Sequence, residues 1–234
     1  MYRLFALLIG YALGCVQTAY FAGKVHGIDI REHGSKNAGM TNVTRTVGKK
    51  WGAIVFVADI LKSVAAFVIA TLIFNGEGAF FSAAVCENAD CFDYGNCIYY
   101  MYGFGFVHNP TGFLPGIYAG LGTVLGHCFP FWLKFRGGKG VSSAIGIIIM
   151  ISLHISGIIL VAAVAGLVAT RYISLASLML SFLAPVLMLL FGFEIEAVAI
   201  MAIVGALIWF MHRGNIVRII KGNERKFLEK KPQA

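Results

Sequence analysis

Charge is what this sequence has least of. Asp, Glu, Lys and Arg make up 13% of its 234 residues, against 59% hydrophobic, where a soluble domain carries roughly 25% charged residues. A solvated globular enzyme is therefore excluded. The chain shows no internal repeat, no low-complexity linker and no second domain, so residues 1–234 read as a single domain. The apolar run 4–22 lacks a clear small-residue cleavage site and leads directly into a polar motif, which makes it a first membrane span rather than a removable leader. A Walker A loop is missing, because Gly140 directly follows Lys139, and with it goes support for ATP hydrolysis. What remains is 28 glycines and 19 phenylalanines in long apolar runs, with a net charge of +8. That combination predicts an all-α polytopic integral membrane protein whose basic loops face anionic lipid or phosphorylated substrates; nucleic acid is a poor partner for it.

Apolar stretches lie at 4–22, 52–74, 113–133, 141–170, 172–193 and 195–211. Cations concentrate in 23–51, in 134–140 and in the tail from His212, whereas the 75–112 insert has none and carries Glu77, Glu87, Asp90 and Asp93. The positive-inside rule places the insert outside and the three basic segments inside. Six crossings would put the first basic loop and the tail on opposite faces, so one stretch must cross twice. The 141–170 stretch is about 45 Å long as straight helix and is interrupted by Ser152, His154, Ser156 and Gly157. Dividing it near His154 gives about seven helices, N-terminus out and C-terminus in, with 141–153 short enough for a partial span. Three of the five cysteines, Cys86, Cys91 and Cys97, fall in the insert, where a disulfide is chemically permitted with one thiol left over. A metal is not supported there, since the spacing is not CxxC and the only nearby histidine is His108.

Three segments carry the chemistry. Gly34-Ser35-Lys36-Asn37-Ala38-Gly39-Met40-Thr41-Asn42-Val43-Thr44-Arg45 packs hydroxyls, amides and cations with two glycines, a donor set suited to an oxyanion, with Arg45 as the bidentate anchor. A solvated topological loop would read the same way. Gly126-His127-Cys128-Phe129-Pro130 is followed by Phe135-Arg136-Gly137-Gly138-Lys139-Gly140-Val141-Ser142-Ser143, glycines and a lysine before a helix start, which can close on phosphate or merely make a tight turn. His212-Arg213-Gly214-Asn215-Ile216-Val217-Arg218 continues the last span; on a continuous helix His212 and Asn215 share a face, and His212 can be a base, a phosphate donor or a cap. All three are expected at one membrane face and at helix ends, where they can form one polar pocket. Residue chemistry alone leaves a lipid enzyme and a phosphate-ester transporter both open, although a transporter would show inverted repeats and a midplane site, whereas here no repeat is visible and the basic motifs sit at one interface. Asp59 and Lys62, i and i+3 within the second span, are expected to pair.

The order and wording of these segments resemble the acyl-phosphate-dependent glycerol-3-phosphate acyltransferases, the PlsY family, over nearly the whole chain. The carriers are Gly27-Ile28-Asp29-Ile30-Arg31 with the Gly34–Arg45 segment, Gly126-His127 with Phe135–Val141, and His212-Arg213, Asn215, Arg218, Gly222 and Glu224. The resemblance implies a seven-helix protein of the bacterial inner membrane, working at the cytoplasmic face and moving an acyl group from acyl phosphate to the 1-hydroxyl of glycerol 3-phosphate. By position it implies catalytic roles for Ser35, Arg45, Lys139, His212 and Asn215. Substrate contacts would come from Lys36, Asn37, Thr41, Asn42, His127, Gly137, Gly138, Gly140, Ser142 and Glu224. No cofactor or metal is implied, and a monomer is the expected state. Direct transfer is favoured because a mixed anhydride carries its own leaving group; the hydroxyl proton has His212, substrate phosphate and water as candidate acceptors. No His is followed five positions later by Asp, and G-x-S-x-G is missing, so the signatures of coenzyme A dependent acyltransferases and of a serine nucleophile are both lacking. The departures from the family pattern are Cys15 for Ser, Lys36 for Gly, Met40 for Ala, and the long 75–112 insert. Of these, Lys36 adds a β-carbon where a left-handed turn would favour glycine, and it keeps open the reading of a catalytically inactive scaffold.

Overall fold

A computed structural model describes residues 1–75 and 113–227. The proposed insert, with Cys86, Cys91 and Cys97, lies outside the described residues. Those described form an all-helical protein: α1 Tyr2–Gly14, α2 Thr18–Val25, α3 Met40–Thr46, α4 Lys49–Asn75, α5 Leu114–Cys128, α6 Val141–Ile151, α7 Leu153–Thr170, α8 Ile173–Leu190, α9 Ile195–Met211 and α10 Arg213–Ile220.

Among the described residues, four segments are long and apolar enough to cross a membrane, Tyr2–Val25, Lys49–Phe74, Leu153–Thr170 and Ile173–Leu190; a fifth combines α9 and α10 across a 62° bend. Large apolar side chains such as Val161, Val168, Leu190 and Ile195 stand exposed, as lipid-facing residues do where the solvent is hydrocarbon. The expected division of the 141–170 stretch occurs, two residues before His154. Ser152 ends α6 and caps α7, its Oγ accepting the Ile155 N–H at 3.3 Å. The first span is broken as well, at Cys15–Gln17, and the Gln17 amide fills the gap by donating to the carbonyls of Gly14, Gly126 and His127.

The tightest helix pair is α1 against α5. A β-carbon on Gly10 would lie 1.8 Å from the Ala119 carbonyl oxygen, and one on Gly122 would lie 2.1 Å from that of Leu7. Backbones that approach so closely need small residues at the crossing, the usual device of helices packing in lipid. The main apolar core lies among α4, α5, α6, α8 and α9, around Phe67, Ile117, Ile147, Met188 and Ile208. Helix α7 adds only Ile155 and Ile159 to it, and a groove runs between α7 and helices α4, α6 and α8.

Candidate active site

The first wall of the site is the loop before α3. Asn42 shapes it: its Oδ1 accepts the Ser35 N–H at 2.8 Å, and its Nδ2 donates to the Ile30 and His33 carbonyls at 2.9 and 3.0 Å. A fully buried amide with both ends bonded to backbone organises the loop, and it does not line the cavity described below. Lys36 takes a φ of +58°, a conformation that costs a residue with a β-carbon about 1–2 kcal/mol. The lysine therefore does not block the turn. It accepts strain and places a cation on the cavity rim.

The second wall is the chain from Cys128 to α6. Gly137 and Gly138 donate their N–H groups to the carbonyls of Cys128 and His127, at 3.1 and 3.0 Å. A β-carbon on Gly137 would meet the His127 carbonyl oxygen at 2.0 Å, and one on Gly138 the His127 Nε2 at 2.0 Å. Those two glycines seal the loop against the end of α5, and their amides are committed there rather than to a phosphate. Gly140, at φ +80°, opens α6; with Val141 and Ser142 it puts the positive end of that helix at the cavity.

The third wall begins where α9 ends. The continuous helix expected here is instead bent by 62° at His212, yet His212 and Asn215 still come together, both buried, while Arg213 stays exposed. Nδ1 of His212 donates to the Ile208 carbonyl at 2.8 Å, which leaves Nε2 as the basic nitrogen. Burial, together with the Lys139 charge, pushes the imidazole down to about 4, so it is neutral at pH 7 and can accept a proton.

Asn215 donates through Nδ2 to Glu224 Oε1 at 2.6 Å and to Ser174 Oγ at 2.7 Å, and its Oδ1 accepts from Lys139 Nζ. Glu224 also takes hydrogen bonds from Ser174 at 2.6 Å and Arg218 at 2.7 Å. Burial raises its carboxyl, but these three donors outweigh it and hold the group below its ordinary value. Lys139 is lowered to about 8, first by burial and then by the Arg218 and Arg45 cations, against the opposing pull of Glu224.

The walls enclose one cavity of about 920 Å³. Of the residues singled out in the sequence, Ser35, Lys36, Asn37, Thr41, Arg45, His127, Lys139, Gly140, Ser142, His212, Asn215 and Glu224 line it; Asn42, Gly137 and Gly138 do not. Motif reading missed Ser174, which sits in an apolar run with nothing to mark it, and left Arg218 out of the site, although Arg218 belongs to the third segment and its spacing offered the signal. It also missed the other half of the cavity. Beyond the polar end the lining turns apolar, with Phe56 and Ile60 of α4, Ile145 and Ile148 of α6, Leu160 and Val164 of α7, and Leu180 of α8. Such a cavity suits a ligand with an anionic head and a long apolar tail.

Comparison with known proteins agrees with this chemistry. The family described as glycerol-3-phosphate acyltransferase matches residues 4–222. Glycerol-3-phosphate acyltransferases from Thermoanaerobacter sp. (strain X514) and Aquifex aeolicus (strain VF5) are 32% and 30% identical, over 98% and 97% of this chain and 98% and 100% of theirs. The crystal structure of PlsY, an integral membrane glycerol 3-phosphate acyltransferase, in its glycerol 3-phosphate form superposes with a TM-score of 0.74 at 29% identity, covering 96% of this chain and 95% of that one. The lysophosphatidic acid form gives 0.72 at 28% identity. With the match spanning nearly its full length, the chain belongs to the glycerol-3-phosphate acyltransferase family, as an integral membrane enzyme.

Proposed function

We propose that the enzyme moves a fatty acyl group from an acyl phosphate to the 1-hydroxyl of sn-glycerol 3-phosphate. The products are 1-acyl-sn-glycerol 3-phosphate and inorganic phosphate, the opening step of phospholipid biosynthesis. The observation that carries the reading is the amphiphilic cavity, one end cationic and rich in donors, the other an apolar groove against α7. The similar PlsY was solved with a polar ligand, glycerol 3-phosphate, and with an amphiphilic one, lysophosphatidic acid; an acyl phosphate combines a phosphate head with a chain that fits the groove.

In this mechanism Arg45, Lys139 and Ser35 hold the phosphoryl oxygens of the donor, with Lys36, Asn37, Thr41 and Ser142 completing the anion site. The 1-hydroxyl oxygen attacks the acyl carbon, the bond from that carbon to the bridging oxygen breaks, and the electron pair leaves with phosphate. His212 Nε2 accepts the hydroxyl proton and passes it to the departing phosphate. Asn215, braced by Glu224 and Ser174, orients Lys139. The anhydride supplies the driving force, so positioning and charge neutralisation are enough. No residue need become acylated.

The charge distribution supports seven crossings, by α1 with α2, α4, α5, α6, α7, α8 and α9, with the N-terminus outside and the site at the cytoplasmic face of the bacterial inner membrane. The enzyme works as a monomer, since all three walls come from one chain. A donor comparison tests the reading: reconstituted enzyme given glycerol 3-phosphate should consume palmitoyl phosphate and leave palmitoyl-coenzyme A untouched. Preference for the thioester would overturn it.

A further inference from the structure

Beside the cavity lies a buried charged cluster that the mechanism above does not use. Asp59 Oδ1 lies 2.8 Å from Lys62 Nζ, which confirms the expected pair, and it also accepts from Thr18 Oγ1 at 2.8 Å. Lys62 Nζ reaches three further acceptors, the Val16 carbonyl at 2.8 Å, His127 Nδ1 at 3.0 Å and the Gly14 carbonyl at 3.3 Å. An ammonium has only donors. Asp59 Oδ1, the other neighbour of His127 Nδ1, lies 3.6 Å away, beyond hydrogen-bond reach, so at 3.0 Å from the ammonium Nδ1 is the acceptor and the single proton of the neutral ring lies on Nε2.

That nitrogen occupies a telling place. A β-carbon on Gly138 would lie 2.0 Å from His127 Nε2 and 2.7 Å from the Ala38 carbonyl oxygen, so the ring edge packs against Gly138 where the first and second walls meet. The backbone of His127 is fixed as well, its carbonyl accepting from Gln17 Nε2 at 3.1 Å and from the Gly138 N–H at 3.0 Å. Asp59 and His127 both line the cavity, and the buried Oδ2 of Asp59 has no hydrogen-bond partner.

We propose that Asp59 and Lys62 are positioning residues: they hold His127 in its Nε2-protonated form with the ring packed against Gly138, and so fix the loop that carries Lys139 where it faces the Ser35–Asn37 donors. The charges are retained inside the membrane because they select one tautomer, a task an apolar pair cannot perform. The kinetic consequence rests on the acyl-transfer reading; the tautomer does not.

The test uses the full-length enzyme labelled with nitrogen-15 at histidine, the His127 signal being assigned by its loss in His127→Gln. Wild type should show a protonated Nε2 and a hydrogen-bonded, unprotonated Nδ1. The double variant Asp59→Asn/Lys62→Met removes both charges together and so strands neither in the membrane. It should remain folded, show mixed tautomers, and lose on the order of tenfold to a hundredfold in kcat, with a smaller change in KM for glycerol 3-phosphate. His127→Gln, whose amide donates without a tautomer to select, should lose less activity when the same double change is added. A wild-type ring protonated on Nδ1 would overturn the proposal, as would a folded double variant with the tautomer unchanged, or one with mixed tautomers and full activity. Wild type inactive with every acyl phosphate would sink the functional reading instead, leaving the tautomer result standing.

Discussion

Lys139, from the loop before α6, donates its hydrogen bond to the side-chain carbonyl of Asn215, so the cation of the second basic segment is aimed by the amide of the third. Asn215 is in turn oriented by Glu224 and Ser174. Replacing Lys139 with Ala should lower kcat/KM for acyl transfer by about 10²–10³, the usual loss when one preorganised donor is removed from a developing charge. Lys139→Arg should rescue little, because a planar guanidinium cannot meet Asn215 as a point donor does. Phosphate release by detergent-purified variants, with helical content checked by circular dichroism, measures both.

The two titrations at this site set a pH window. His212 must be neutral to accept a proton, and its pKa is lowered to about 4, so the acid limb of kcat/KM should fall near there rather than at the ordinary histidine value. Lys139 must be charged to hold phosphate, and its pKa is lowered to about 8, so kcat/KM should decline again above that pH. The profile is thus a plateau with both limbs displaced downward. His212→Gln should abolish the acid limb in whatever activity remains.

Gly157 lines the far end of the groove, and a β-carbon there would meet nothing within 4 Å. It lies 13 residues before Thr170 along α7, about 20 Å from the polar end. Gly157→Phe should fold normally and shift donor preference toward shorter acyl chains. Relative kcat/KM across C8 to C18 acyl phosphates reads this out; an unchanged ranking would mean that the chain takes another path.

Gly10 makes the opposite case. A side chain there must displace the backbone of Ala119 at 1.8 Å, so Gly10→Leu should separate α1 from α5 and cost more than about 4 kcal/mol, an overpacking penalty at the extreme of single substitutions. Thermal unfolding in detergent should show the loss for Gly10→Leu and none for Gly157→Ala.

Much of this was written locally in the chain. Dense runs of donors such as Ser35–Asn37 and Lys139–Ser142 have few uses in so apolar a sequence, and charge parity alone called for the break that Ser152 supplies. The Asp59–Lys62 pair followed from helical spacing. Other features depend on contacts remote in sequence. Asn42 resembles a ligand residue until the loop closes around it and spends both ends of its amide on backbone. Gly137 and Gly138 resemble a phosphate loop until their amides are found on Cys128 and His127. Ser174 and the groove residues carry no pattern, because an apolar side chain facing substrate and one facing lipid are the same residue in the sequence.

The central claim, that both substrates meet in the one cavity and react directly, is tested most closely by stoichiometry. Purified enzyme in lipid, given palmitoyl phosphate, should release no phosphate and carry no acyl group by intact-protein mass until glycerol 3-phosphate is added. Phosphate and lysophosphatidic acid should then appear one for one. Phosphate release without glycerol 3-phosphate, together with a protein heavier by one palmitoyl group, would contradict direct transfer and place a covalent intermediate in the site.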